Sequence, residues 1–498
     1  MDGAFRPAAV FGDRMVLGRG RPIRIFGDAP EGCSIRAELN GRHAQAVASG
    51  GRFLVTLPPM PAGGPHRLTV TDGQTTVAFG DVYVGEVFLA GGQSNMEMRL
   101  REAGDGVRLA RQTDQPLVRF FNAPRNAWLD SDALQAERQS RWQAATPDVC
   151  LEMSAVAYHF ATRLQQALGV AVGILDCCWG GTSAACWIPE PELRKTEEGT
   201  QMLAQRDKRS AGLTPAQMDE AIAAHEEGLR LWNEHIDAAR KAEPGVAMQA
   251  LVERFGPCPW NPPPFGRSPF RPAGLAHTML SRLSPYPLTG FLYYQGEEDT
   301  RHPDLYEALL TSLIHSWRRL FRGEDLPFLF AQLPMFHNSF EPDTGNWAQL
   351  RQAQARVRSA SRNCEMAVLI DCGELDNIHP TDKQPVGERL CRLALRHMYG
   401  REAEADSPRA LWAYPEGGAL VVELTVAVRC SGEPALFEVA GADGLFRSAA
   451  AVPDGTRIRL VSADVAYPMA ARYAWVNYGV VNVFGENGLP LAPFLVEM

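Results

Sequence analysis

Two textures of hydrophobic patterning follow one another along the chain. From residue 1 to about 85, apolar residues recur in short alternating runs: Ile23–Phe26, Ser34–Leu39, Phe53–Leu57 and Leu68–Thr71. Alternation with a period of two marks strands with one buried face, and the intervening Asn40-Gly41 and Asp72-Gly73 dipeptides favour tight reversals. Residues 1–85 are therefore predicted to form a small β-sandwich. From Val87 the apolar runs become continuous: Val87–Ala90, Val170–Leu175, Gly290–Tyr294, Pro327–Gln332 and Met366–Ile370. Helical patterns alternate with them over Ser154–Leu168, Pro303–Phe321, Trp347–Ser361 and Asp382–Met398. Continuous apolar strands separated by helices predict an α/β fold, its parallel sheet covered by helices on both faces. From about residue 408 the period-two pattern returns, with turns at Asp443-Gly444 and Asp454-Gly455. The predicted organisation is a β-domain over 1–85, an α/β domain over 86–405 and a second β-domain over 406–498.

An insertion interrupts the α/β pattern at about 190–272. Thr214 suits a helix cap, Pro215 the first helical position, and Gln217 completes a capping box. Met218, Ile222, Leu229, Trp232 and Ile236 then share one helical face, and Pro244-Gly245 ends it. The following CPWNPPPFGRSPFRP is too rich in proline for helix or central strand, and reads as an ordered loop able to form a wall of a site.

Composition narrows the partners more than the fold. A formal net charge of -9 argues against nucleic acid or an anionic membrane as the main partner. No run of about 18 apolar residues predicts a membrane-spanning helix. The opening MDGAFRPAAVFGDRM has no apolar stretch of the signal-peptide type, which predicts a cytoplasmic location, or a periplasmic or secreted one if an export signal precedes it. The ten cysteines are scattered, with Cys177 and Cys178 adjacent, and read as buried or free thiols.

In parallel α/β sheets, ligands bind beyond the carboxyl ends of the strands. Four polar or glycine-rich segments fall there: Gly-Gly-Gln-Ser94-Asn, Asp176-Cys-Cys-Trp-Gly180-Gly181-Thr182, Tyr294-Gln295-Gly296-Glu297, and Asp371-Cys-Gly-Glu374-Leu-Asp376-Asn-Ile-His379. Ester hydrolysis through a hydroxyl nucleophile needs an imidazole to take the proton, a carboxylate to orient it, and hydrogen-bond donors for the oxyanion. Ser94 offers the hydroxyl, His379 the base and Asp376 the carboxylate, with Asp371 and Glu374 as rivals to Asp376. The N–H groups of Ser94 and of Gly181 (or Gly180), with the Gln295 amide, suit an oxyanion hole.

The blocks GGQSNMEM, CWGGTSAACW, YYQGEEDT and DNIHPTDKQPVGERL resemble those of the SGNH hydrolase superfamily and, more narrowly, the sialate O-acetylesterase family. FGDRMVLGRGRPIRIFG, WAQLRQAQ, RYAWVN and GLPLAPF extend the resemblance over nearly the whole chain. It implies an SGNH-type three-layer α/β/α domain between two β-domains, with Ser94 as nucleophile, His379 as base and Asp376 as its partner. It also implies an oxyanion hole of Ser94, the glycine of the second block, and Gln295, where many relatives carry asparagine. AGLAHTM (273–279) and GEEDT (296–300) depart from the family pattern, as does the absence of a signal peptide. The implied activity is metal-free removal of acetyl groups from carbohydrate hydroxyls, with O-acetylated sialic acid as the matching substrate. An acetyl esterase for xylan or another plant glycan is the alternative, and a non-catalytic carbohydrate-binding protein a third.

Trp187 and Trp179 are candidates to stack on sugar, with core packing as the alternative, and Glu297 to brace the site. Cys177, Cys178 and Cys186 lie near the second loop, where packing is the better reading than a thiol nucleophile. No HExxH, P-loop or strand-borne GxGxxG occurs, so no catalytic metal and no nucleotide cofactor are predicted.

Overall fold

The computed structural model describes residues 4–401 and 404–498; residues 1–3 and 402–403 lie outside that description. The chain divides into two compact units. The first comprises Met1–Tyr293, Ala308–Phe328 and Thr381–Cys391; the second comprises Tyr294–Glu307, Leu329–Pro380 and Arg392–Met498.

The first unit is organised by one long strand, Thr76–Gly92. Its first half pairs antiparallel with Gly63–Thr71 and parallel with Val16–Gly18. Its second half pairs parallel with Val172–Cys178, in a register that sets Glu86 opposite Val172 and Gly92 opposite Cys178. The N-terminal strands and the central sheet thus share this strand, which runs unbroken through residue 85. Val172–Cys178 pairs parallel with Gln115–Asn122, which in turn takes Trp142–Ala145 as an antiparallel neighbour. The expected all-parallel sheet is therefore mixed. An antiparallel neighbour needs only a return of the chain, not a crossover.

The strand Gln115–Asn122 is not one of the predicted runs; its apolar pattern is interrupted by Arg119, which is 4% exposed. Its guanidinium is satisfied by the carbonyls of Arg14, Asp81 and Pro116 at 2.9, 2.6 and 3.1 Å, and packs over the Tyr83 ring. A buried charge that is hydrogen-bonded through all three of its nitrogens, the third to the Asp81 carboxylate, is compatible with a core strand.

The helices follow their local signals closely. Ala155–Leu168 is capped by the Ser154 hydroxyl, which accepts from the Ala157 N–H, and is closed by Gly169 in the left-handed region. The inserted helix Pro215–Ala242 carries the predicted capping box between Thr214 and Gln217. Glu197–Ser210 and Met248–Phe255 are two further helices of the insertion.

The second unit contains strands Phe328–Ala331 (but for Phe328) and Cys364–Ala367, with the Gln332 N–H donating to the Ala367 carbonyl at 2.9 Å. Beyond residue 409 it is built from antiparallel sheets. Ala410–Glu416, Ala419–Leu424, Arg457–Val461 and Ala450–Asp454 form one; Arg447–Ser448, Phe437–Ala440, Ala470–Tyr473 and Phe494–Glu497 form another. Leu420, Val422, Ile458 and Leu460 of the first share a core with Val439, Ala471, Tyr473 and Phe494 of the second. The RYAWVN segment is tied to the helix Asn346–Ala360: the fully buried Arg351 donates to the carbonyls of Ala474 and Val476, and the Asn477 side chain accepts from the Trp347 N–H at 3.1 Å.

Glycine is required near the end of the long strand. The apolar run ends at Ala90, yet Gly91 and Gly92 both remain in the strand. A Cβ on Gly91 would lie 2.4 Å from Cη2 of the buried Trp317, so this glycine makes room for a ring. Gly91→Ala should lower the unfolding free energy by about 1–3 kcal/mol through overpacking. Urea denaturation followed by tryptophan fluorescence checks this; an unchanged midpoint would mean that Trp317 yields at no cost.

Candidate active site

The strand Thr76–Gly92 is buried from Val84 through to Gln93, and Ser94 is the first residue after that run to reach solvent. The chain turns there into a short helix, Ser94–Glu97, with the Gln93 carbonyl accepting from the N–H groups of Met96 and Glu97 at 2.9 Å each. This turn is held from below. Met96 is fully buried, and its carbonyl accepts from the Ser154 hydroxyl at 2.7 Å, the same hydroxyl that caps Ala155–Leu168. Asn95, also fully buried, accepts from Lys383 Nζ at 2.5 Å.

The loop after Val172–Cys178 leaves the same edge of the sheet, because that strand is parallel to Thr76–Gly92 and in register with its end. The Trp179 N–H donates to the Gly92 carbonyl at 3.1 Å. A Cβ on Gly180 would lie 3.4 Å from Ser94 Cβ, so the two backbones nearly touch. Gly180, and Gly181 next to it in the chain, are thus placed on the loop that adjoins Ser94.

The two glycines differ in what their N–H groups do. That of Gly180 donates to Glu97 Oε2 at 2.5 Å and is already committed. That of Gly181 donates to no atom of the described residues. Gly181 has a φ of +71°, a left-handed conformation that glycine adopts without penalty. Between the two candidates, Gly181 is the one with a donor to offer.

Charged groups beneath these loops were missed in the sequence. Glu97, which holds Gly180, pairs with Arg125, and Arg125 lies over the Trp179 ring at 5.8 Å. Burial pushes the Glu97 carboxyl above its ordinary value, opposed by Arg125 and by the Gly180 hydrogen bond. Arg99 pairs with Asp176, which is 2% exposed, and that carboxylate in turn holds the guanidinium pKa up. Glu97 lies within the quoted GGQSNMEM block, and Lys383 within DNIHPTDKQPVGERL, but nothing in their spacing distinguished them.

Trp187 does not serve as a sugar platform. It is fully buried, and its indole N–H donates to Thr182 Oγ1 at 2.9 Å, so it packs beneath the second loop. Cys177 and Cys178 are buried, their thiols pushed well up by desolvation, which suits packing and not nucleophilic attack.

In the second unit, the loop from Asp371 to His379 is braced locally. The Asn377 amide donates to Glu374 at 2.7 Å and accepts from the His379 N–H at 3.1 Å. Asp376 has a φ of +61°; its N–H donates to the His337 carbonyl, and its carboxylate accepts from the Ser339 N–H and hydroxyl at 2.6 and 2.8 Å. A carboxylate has about four acceptor positions, so two further ones remain for an imidazole. Gln295 is 1% exposed; its amide nitrogen donates to Asp299 at 2.5 Å and its amide oxygen accepts from Tyr306 at 3.1 Å. One N–H of that amide is therefore committed to Asp299. Glu297 is buried in the same turn.

Among the described residues, Glu365, His397 and Asp406 bring metal-ligand atoms within 4.8 Å of one another. Arg358 donates twice to Glu365 and Arg396 pairs with Asp406, so these carboxylates already have cationic partners. No helix among the described residues is long and apolar enough to cross a membrane.

With this geometry in place, comparison with known proteins identifies the class. A carbohydrate acetylesterase from Xanthomonas citri superimposes with a TM-score of 0.76 over 99% of this chain and all of that one, at 27% identity. The fold is that of a carbohydrate esterase. Residues 275–396 match the family model described as carbohydrate esterase, sialic acid-specific acetylesterase. It is 27% identical to the sialate O-acetylesterase of Rattus norvegicus over 377 residues, which are 70% of this chain and 64% of that protein. It is 24% identical to that of Mus musculus over 488 residues, 90% of this chain and 84% of the relative. The chain thus spans less than two thirds of the rat enzyme's length.

Glu97 provides a test of the first cluster. A buried carboxyl with a raised folded pKa binds its proton more tightly when folded. Stability therefore falls as pH rises from about 4.5 through the elevated folded value. Glu97→Gln, which keeps an acceptor for Gly180, should remove that fall. Urea midpoints of both proteins between about pH 4 and 7 check it; parallel profiles would show that Glu97 does not titrate in this way.

Proposed function

We propose that the chain is a serine esterase that removes acetyl groups from carbohydrate hydroxyls, with O-acetylated sialic acids as its substrates. The observation that carries this reading is Ser94, part-exposed at the end of a buried strand, lying against Gly180, whose chain neighbour Gly181 has an N–H that donates to no atom of the described residues. A nucleophile beside a preorganised donor is what acyl transfer requires. Lys383, four residues beyond His379 in the chain, donates to Asn95, the residue after Ser94, which supports reading both blocks as parts of one apparatus. The family match and the curated sialate O-acetylesterases support the choice of sugar.

In the proposed mechanism His379 takes the proton from the Ser94 hydroxyl as the oxygen attacks the acetyl carbonyl carbon. Asp376 holds the imidazole and stabilises its charged form. Negative charge developing on the carbonyl oxygen is met by the N–H groups of Ser94 and Gly181, with the Gln295 amide as the third donor. The intermediate collapses, His379 protonates the departing sugar oxygen, and an acetyl-enzyme remains on Ser94. Water, deprotonated by His379, then releases acetate and restores the serine.

Turnover of 4-nitrophenyl acetate by wild type, Ser94→Ala and His379→Ala tests the chemistry. Loss of roughly 10³-fold or more in kcat is expected for each variant. Ser94-independent turnover would exclude the mechanism, and no turnover by the wild type would favour a carbohydrate-binding role. Acetate release from O-acetylated sialic acids and from acetylated xylan decides the sugar; release from xylan alone would overturn the sialate assignment.

A further inference from the structure

The proline-rich half of the insertion ends against the loop that carries Gly181. Cη2 and Cζ2 of Trp260 lie 2.3 and 2.4 Å from the point where a Cβ on Gly181 would sit, and Phe270 Cε1 lies 3.4 Å from it. One residue away, Gly180 lies against Ser94. Ser94, Gly180, Gly181 and Trp260 therefore form one run of neighbours, with the indole occupying the side-chain position that Gly181 leaves vacant.

Trp260 is itself held firmly. Its ring meets Phe270 edge-on, with centroids 5.5 Å apart and planes at 81°. His225, on the helix Pro215–Ala242, meets both rings at 5.9 and 6.2 Å. Arg209, at the end of Glu197–Ser210, donates to the carbonyls of Asn261 and Pro262 at 3.4 and 3.0 Å. Met218 and Ile222 pack against Gly266 in the same loop. The inserted helices thus act as a bracket that sets the position of one indole ring.

We propose that Trp260 is a positioning residue for the oxyanion hole, and that presenting it is what the insertion contributes to the reaction. A glycine in a surface loop has several backbone conformations of similar energy. A rigid ring packed on its Cα removes the alternatives and keeps the Gly181 N–H aimed at the ester carbonyl, so the donor need not reorganise as charge develops. The indole acts through Gly181 and its contribution falls on kcat, not on substrate affinity. This inference rests on the serine esterase reading.

The test compares kcat and KM on 4-nitrophenyl acetate for Ser94→Ala, Trp260→Ala, Trp260→Phe, Gly181→Ala and the Gly181→Ala/Trp260→Ala double variant, each first shown to be folded by circular dichroism. Trp260→Ala should lower kcat about 10- to 100-fold with KM within about twofold of wild type, and Trp260→Phe, which keeps a ring over Gly181, should restore most of it. Gly181→Ala should cost less in the Trp260→Ala background than in the wild type, because the Cβ then no longer meets the indole and only touches Phe270. If Trp260→Ala fails to fold, Trp260→Leu replaces it, alone and in the double variant. Wild-type kcat in the Trp260 variant with Ser94→Ala inactive would overturn the inference and leave the esterase reading standing. A change confined to KM would overturn it too, and mark Trp260 as a substrate contact. Retained turnover in Ser94→Ala would overturn the esterase reading and the inference with it.

Discussion

The strand Thr76–Gly92 has no free side from Glu86 onward: neighbours pair with it and every residue from Val84 to Gln93 is buried. Such a segment can reach solvent only where its pairing stops. At Gly91 the packing is tight enough that a ring occupies the side-chain position. The chain must therefore leave the sheet just beyond Gly92, and the residue it delivers there is Ser94. The position of the candidate nucleophile is a consequence of close packing below it. A hydroxyl fixed by a rigid scaffold loses little freedom on reaching its reactive geometry.

Around this exit the protein buries charge, and each buried charge has a partner. Asp176 meets Arg99, Glu97 meets both Arg125 and the Gly180 N–H, and Lys383 meets Asn95. Buried ion pairs contribute little net stability once desolvation is counted, but removing one member leaves the other uncompensated. Such pairs hold loops in one arrangement. Here they fix the backbone on both sides of Ser94 and engage Gly180, leaving the donor of Gly181 for other use. In the second unit, Glu374 and Asn377 brace the turn that carries His379, while Ser339 holds the carboxylate of Asp376.

Much of this was legible along the chain. The helices over 155–168 and 215–242 began and ended where capping residues placed them, because capping is local chemistry between residues three or four apart. The strand Gly290–Tyr294 was recognisable from its unbroken apolar run. The strand around Arg119 was not, since its partners are backbone carbonyls of residues 14 and 81, more than thirty residues away. For Trp187 both sugar stacking and core packing were open along the chain, and it lies wholly in the core. The pattern carries no information on which side of the loop its ring falls.

The sequence by itself determined the kinds and order of most elements and offered candidate residues for acyl transfer, because periodicity, capping and side-chain type are properties of short segments. Tertiary structure alone decided that Gly91 accommodates Trp317, that Gly180 is committed to Glu97 while Gly181 is not, and that an insertion some eighty residues further on lays Trp260 against Gly181. These are contacts between segments remote in the chain. Each depends on distances of a few tenths of an ångström, and only the packed structure sets those.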